Sequence, residues 1–496
     1  MVSLKKAIFM IVLLSVFLLE CRNIPDIPRV FADKNEISAS LSGEIETIIN
    51  SEPHLNGSIA GISIRNQKTG DIVYEHMSNI RLAPASNMKL FTAAAALNVL
   101  GEDYRFITEI YTDGQITKGN LKGNLYIKGN GDTSLLPEDL EKMAKELKDK
   151  GISSIEGDII ADDSWYDSIP YSIDLAWSDE SSYYGAPISA LTLSPTKEYD
   201  AGTILLEVEP SKNIGKKVEI KSRPKLTGLT IINKAKTVSS DGKNTLRITR
   251  KHHLKTIIIE GNLPINSAPK KEWISVDDPT SYVLDVFQQS LSKEGITWTG
   301  KGEKGKTPLL ASLLTTHSSI PLSELLVPFM KLSNNTIAET LVKELGVVKK
   351  NEGSFKLGLE VLEKEISSYS IDTSHMLIRD GSGVSPIDLV TANDVSQFLF
   401  EIQREKWFPI LYASLPISGE PERFIGGTLR NRLTGDSTKG KVYAKTGTLS
   451  AVSSLSGYIE TNNGNQYIFS ILLNHLMDEE KGKIIEDKLV ETLAKY

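Results

Sequence analysis

A single cysteine, Cys21, stands in the 496 residues of the chain. No internal disulfide can form, and a zinc site built on thiolates is excluded. Histidine is sparse too. There are seven, scattered apart from the adjacent pair His252 and His253, whose side chains would point to opposite faces of a strand. Neither the H-E-x-x-H helix of zinc proteases nor the G-x-S-x-G elbow of α/β-hydrolases occurs. The residues therefore point to no metal and no cofactor. Positive charge is not in excess either: the net charge is −7, and a nucleic-acid partner, which would want a basic stripe, is not expected. Apolar content of 40% and charged content of 24% are those of a globular chain, long enough to bury a large core without disulfide staples.

The apolar run over residues 7–19 would rise only about 20 Å as a helix, short of the about 30 Å hydrocarbon core of a membrane. Lys5 and Lys6 precede it, and a basic start followed by a short apolar run reads as a secretory signal. Residues 1–32 are the expected signal segment of an exported protein, periplasmic or otherwise in the cell envelope. Two processing sites compete. Leu18-Leu19-Glu20-Cys21 looks like a lipoprotein site and would give membrane association through a lipid anchor at Cys21, although Glu20 is not the small residue usual there. Val30-Phe31-Ala32 offers the small residue but lies farther from the apolar run.

Residues 33–50 show a helical pattern, and residues 61–66 and 71–76 alternate around the turn Gln67-Lys68-Thr69-Gly70 as a hairpin. The alanine-rich stretch 92–97 predicts a buried helix. From about residue 106 short alternating runs are broken by Gly-Asn and Gly-Asp steps, with one helical pattern over 137–149. Helical patterns return over 281–294, 322–331, 335–344 and 355–367. The C-terminus alternates over 441–446, 453–460 and 466–473. A helix follows over 479–496, with Ile484, Ile485, Leu489 and Leu493 expected on one face. The fold expected is a mixed α/β (α+β) body made from both ends of the chain, 33–112 and 276–496. A β-rich insertion over 113–275, read as two small domains, interrupts it.

Three short elements carry chemistry. Ser86-x-x-Lys89 puts a hydroxyl and an amine on one helical face. A serine is a weak nucleophile without a base, and a lysine serves as one if burial lowers its pKa. Met88, Leu90, Phe91 and the alanines would form the dry wall, and a helix start offers N–H groups to an oxyanion. Ser333-Asn334-Asn335 offers a proton-relaying hydroxyl and an amide, or else a simple helix cap. Lys445-Thr446-Gly447-Thr448 closes an alternating run, where a cation and two hydroxyls would stand beside a substrate carboxylate and Gly447 would let a backbone approach.

Each element alone is commonplace, but in the order S-x-x-K, S-x-N, K-T-G they resemble the penicillin-binding proteins and related β-lactamases. The long gap from Ser86 to Ser333 and the shorter one to Lys445 resemble the low-molecular-mass class C penicillin-binding proteins, the D-alanyl-D-alanine carboxypeptidase/endopeptidase group. So do the stretches Gly129-Asn130-Gly131-Asp132, Tyr184-Gly185-Ala186-Pro187 and Asp380-Gly381-Ser382-Gly383. The resemblance implies a transpeptidase-type domain of antiparallel sheet plus helical lobe. It implies Ser86 as acylated nucleophile, Lys89 as general base, Ser333 as proton relay, Asn335 as holder of the substrate amide and Lys445 as a source of field. Thr446, Gly447 and Thr448 would bind substrate, and the N–H groups of Ser86 and Thr448 would form the oxyanion hole. The partners implied are peptidoglycan stem peptides ending in D-alanine, with β-lactams as covalent inhibitors. A β-lactamase and a non-catalytic wall-binding scaffold are the alternatives. Asp380–Gly383 reads equally as two tight turns and is given no catalytic step. The P-loop pattern running from Gly300 to Thr307 is set aside, because its preceding apolar run is short and Pro308 follows at once.

Overall fold

The computed structural model describes residues 34–496 except 226, 227 and 253. The expected signal segment, with Cys21 and Ala32, lies outside the described residues.

Both ends of the chain build one antiparallel sheet. Its order is Ile72–His76, Ile59–Asn66, Gln466–Asn474, Val452–Glu460, Val442–Leu449, so the N-terminal hairpin pairs directly with the C-terminal strands. One face carries the helices Lys34–Ser51 and Glu479–Leu493, with Leu41, Ile45, Phe469, Ile471, Ile485 and Leu489 between them. The other face carries Ala392–Glu401 and a helical lobe that includes Met88–Leu100, Leu322–Lys331 and Asn335–Lys350. Val452–Tyr458 is buried residue by residue because both faces are covered, although the sequence there alternates.

Met88–Leu100 is buried throughout residues 88–97, as its alanines and scarcity of polar groups predict, and Gly101 ends it at φ +86°. Asn335–Lys350 starts on an Asn334 cap whose side chain accepts from the Ile337 N–H. Ile484 corrects one expectation: it is half exposed, while Ile485, Leu489 and Leu493 are buried. Adjacent helical residues stand about 100° apart, so 484 and 485 cannot share a narrow face.

The insertion holds its own core between two sheets and the helices Pro137–Asp149 and Pro279–Lys293. Its larger sheet runs Gly302–Lys304, Ile159–Asp162, Leu125–Gly129, Ile107–Thr112, Ser312–Ser318. Its smaller neighbour runs Thr297–Trp298, Ser154–Glu156, Asn120–Lys122, Gln115–Thr117, and short strands between residues 203 and 275 form the remainder. This pairing differs from the expected edges of the insertion at 113 and 275. Ile107–Thr112 pairs with Leu125–Gly129 and Ser312–Ser318, and Pro279–Lys293 packs in the same core. The signal was weak because Ser312–Ser318 is largely exposed and polar, whereas a buried strand would have announced itself by apolar alternation.

Arg432 fastens the C-terminal helix to the body. Its guanidinium donates to Glu486 at 2.8 Å, to Asp487 at 2.8 Å and to the Lys483 carbonyl at 3.0 Å. Glu486 has no exposed surface. Arg432→Ala leaves that carboxylate buried without its cation, and should cost about 3–5 kcal/mol in urea unfolding. A loss below about 1 kcal/mol, the scale of a surface pair, would contradict this.

Candidate active site

Ser86 sits in a tight turn, Ala85–Asn87, that feeds Met88–Leu100. Ala85 takes a left-handed φ of +46°. One helical turn on, Lys89 has no exposed surface. Its Nζ lies 2.9 Å from Ser86 Oγ, 2.7 Å from Asn335 Oδ1 and 2.6 Å from the Ser382 carbonyl oxygen. Two of those partners can only accept. A neutral amine has two N–H bonds and one lone pair, so satisfying both carbonyls aims the lone pair at the serine hydroxyl. Burial lowers the Lys89 pKa to about 7, against the opposing pull of Asp380, Glu339 and Asp388.

The Asn335 amide is oriented by its other end, which donates to the Tyr184 carbonyl at 3.0 Å. Ser333 holds a left-handed φ of +60° and presents Oγ to Lys445 Nζ at 2.8 Å. Lys445 is fully buried and also donates to the Thr446 carbonyl at 2.7 Å. Burial first, and the Lys89 charge second, push its ammonium well below the usual range.

Val442–Leu449 is the edge strand of the sheet. The Ala444 N–H leaves the sheet to reach the Pro416 carbonyl at 3.0 Å, and Ser418 donates to the Val442 carbonyl at 3.0 Å. Edge N–H groups repeat every second residue, so those of Thr446 and Thr448 point the same way. Among the described residues no strand pairs with that edge beyond Ala444. Gly447 is required sterically: a Cβ there would lie 2.2 Å from Ser454 Oγ and 2.8 Å from the Ser86 backbone nitrogen. A cleft of about 450 Å³ brings Ser86, Ser333, Asn335, Thr446, Gly447 and Thr448 together. All eight residues singled out in the sequence thus converge, six on the cleft and the two lysines directly beneath it.

The sequence reading missed two supports. The Asp380–Gly383 turn delivers the Ser382 carbonyl to Lys89. Asp380 accepts from the N–H groups of Ser382, Gly383 and Ser385, and Glu339 accepts from those of Gly381 and Ser382. Burial raises Glu339 to about 8. The insertion also supplies the cleft wall with Tyr183 and Tyr184, and Tyr184–Pro187 was quoted above only as a family-like stretch. The P-loop pattern fails in context: Gly302–Lys304 is a strand parallel to Ile159–Asp162, and the Thr307 N–H goes to Asp162 at 2.7 Å.

A cleft serine paired with a buried lysine at a sheet edge, between an antiparallel sheet and a helical lobe, defines the active-site-serine hydrolases that form acyl-enzymes. The family model described as the D-Ala-D-Ala carboxypeptidase 3 (S13) family matches residues 41–496, and the chain belongs to that family and is a serine-type peptidase. It is 36% identical over 485 residues to the D-alanyl-D-alanine carboxypeptidase of Actinomadura sp. (strain R39), covering 95% of this chain and 89% of the relative. It is 27% identical over 422 residues to D-alanyl-D-alanine carboxypeptidase DacB of Haemophilus influenzae, covering 84% and 86%. The crystal structure of penicillin binding protein 4 (dacB) from that organism superposes with a TM-score of 0.79 at 26% identity, over 91% of this chain and 99% of the other.

The Lys89 amine should titrate near 7, against the 10.5 of an ordinary lysine. A ¹³C-labelled lysine NMR titration checks it, and a signal that stays cationic up to about pH 10 would contradict the burial argument.

Proposed function

We propose that this protein cuts D-alanyl peptide bonds in peptidoglycan stem peptides through an acyl-Ser86 intermediate. The observation that carries the reading is the Lys89 amine, pinned by two carbonyl acceptors with its third partner the Ser86 hydroxyl. Ser86 Oγ attacks the carbonyl of the penultimate D-alanine while its proton passes to Lys89 Nζ. The oxyanion is received by the N–H groups of Ser86 and Thr448, and the loss of one such donor costs about 10²–10³ in rate. Ser333 Oγ, hydrogen-bonded to Lys445, relays a proton to the leaving amine, so that the proton taken up by Lys89 is handed on as the peptide bond breaks and the lysine is neutral again. Water then attacks the ester carbonyl, giving a proton to the Lys89 amine, which returns one to Ser86 Oγ as the ester bond breaks. Asn335 holds the substrate amide, and Thr446 and Thr448 face the terminal carboxylate with the Lys445 amine behind them. Every step draws on the chain's own residues, and none needs a cofactor or metal.

Leaving as free D-alanine makes the reaction a carboxypeptidation. Leaving as a cross-bridge amine makes it an endopeptidation by the same steps. Penicillin mimics the D-alanyl terminus in this scheme and acylates Ser86. A H. influenzae relative of the same fold is described in complex with a β-lactam, at a TM-score of 0.72, 25% identity and coverage of 91% of this chain and 100% of the other. The insertion, taken as running from Ile107 to Ser318 on its strand pairing, lends the site its outer wall. Action on the cell wall accords with export by residues 1–32. Anchoring at Cys21 and cleavage after Ala32 differ in the intact mass of the mature chain.

The base must be neutral to accept the proton. Below its pKa the amine is already protonated, so D-alanine release from a pentapeptide should rise with pH through about 7. Ser86→Ala should release none. A rate that is flat between about pH 5 and 9, or an active Ser86→Ala, would refute the scheme.

A further inference from the structure

The middle residue of Ser333-Asn334-Asn335 has no step in the scheme above, yet its side chain uses its full hydrogen-bonding capacity. Asn334 is 3% exposed. Its Oδ1 accepts from the Ile337 N–H at 3.0 Å and the Thr336 hydroxyl at 2.8 Å, capping the helix that follows. Its Nδ2 crosses to the insertion, donating to Asp200 Oδ1 at 2.9 Å and to the Tyr199 carbonyl at 3.0 Å. Asp200 is 8% exposed. The same segment is fastened once more, where Glu198 receives Arg423 at 2.6 Å.

Ser333, the residue just before, holds a φ of +60°. A serine in the left-handed region stays there only when its surroundings over-determine the backbone. On one side the Asn334 N–H is tied to the Phe329 carbonyl at 3.0 Å. On the other, the Asn334 side chain is tied to both the helix and the insertion. A rotation that relaxed Ser333 would swing Asn334 off at least one of these partners and leave a buried amide unpaired, which costs more than an exposed bond returns. It would also carry Ser333 Oγ away from Lys445.

We propose that Asp200 of the insertion and Asn334 of the catalytic body form a clamp that fixes Ser333 in its productive conformation, which makes Asp200 a positioning residue for catalysis. The insertion is then part of the catalytic apparatus, its Tyr199–Asp200 segment setting the hydroxyl that hands the proton to the leaving group. The clamp needs an acceptor at 200 facing a donor at 334. Burial raises the Asp200 carboxyl to about 7, so the acceptor serves as a carboxylate or as the carbonyl oxygen of the acid, and asparagine at 200 reproduces the latter. With Asp200 ionised, aspartate at 334 would instead set two acceptors against each other.

The inference rests on the acyl-serine reading of Ser86. The test measures the rate of acylation by a fluorescent penicillin on the full mature chain, with melting temperature read in parallel. Asp200→Ala and Asn334→Asp should each slow acylation about tenfold or more, beyond any loss of folded protein. Asp200→Asn should stay near the wild-type rate. The exchange Asn334→Asp/Asp200→Asn restores a donor facing an acceptor with reversed polarity, and should recover about tenfold over Asn334→Asp alone. Recovery by exchange is something general destabilisation does not give. If Asp200→Ala fails to fold, the Asn334→Asp and exchange arms decide. Wild-type rates in Asp200→Ala and Asn334→Asp, or an exchange that recovers nothing, would overturn the clamp. If the wild type itself took no label, the acyl-serine reading would fall instead.

Discussion

The Lys89 amine is the constraint on which the rest of the structure depends. A lysine cannot be a base at neutral pH unless it is kept dry, and it cannot be left buried without partners. Helix Met88–Leu100 meets the first demand, since its flanking residues are apolar and covered on all sides. The second is met by two carbonyl oxygens brought from distant segments, Asn335 and the Ser382 backbone. Each must itself be held. Asn335 stands at the start of a capped helix, and the Ser382 carbonyl rides on a turn wound around the buried carboxylates of Asp380 and Glu339. Those carboxylates set a limit on the device, because their charge pulls the amine back towards protonation while burial drives it the other way.

The same logic explains why the chain begins and ends in one sheet. The strand Val442–Leu449 must present an open edge beside Ser86, and it does so because its inner side is paired to Val452–Glu460 and because Pro416–Ser418 covers only its first residues. The N-terminal hairpin forms the far side of the sheet, and the segment that leaves it is tied at Ala83 to Asn474 and at Pro84 to Ser454, which sets Ala85 and Ser86 against Gly447. The contact there is so close that only glycine fits. Ala85, which touches Gly447, and Ser333, which lines the cleft, both hold positive φ. Non-glycine residues at positive φ persist where the surrounding packing dictates them, and here both carry or adjoin a reacting hydroxyl.

Much of this was legible in the amino-acid order. Periodicity found the terminal hairpin, Pro137–Asp149, Leu322–Lys331 and the three C-terminal strands, and the scarcity of polar residues found the buried alanine-rich helix. Motif order singled out eight residues that the structure brings together. The edges of the insertion were less visible, since Ser312–Ser318 pairs through its backbone with few apolar side chains to mark it. The Asp380 turn and the Tyr184 carbonyl escaped for a related reason. Both act through main-chain atoms, and every residue type carries the same main chain. Ile484 was misplaced because an apolar residue beside a buried stripe reads as part of it.

The central claim is that three segments far apart in the chain form one pocket in which Lys89 activates Ser86. Mass spectrometry of a digest after penicillin treatment tests it most directly. The account predicts one long-lived penicilloyl group, carried by Ser86 and lost from the digest when Lys89 is replaced by alanine. A group on another residue, or a label that turns over too fast to trap, would contradict it.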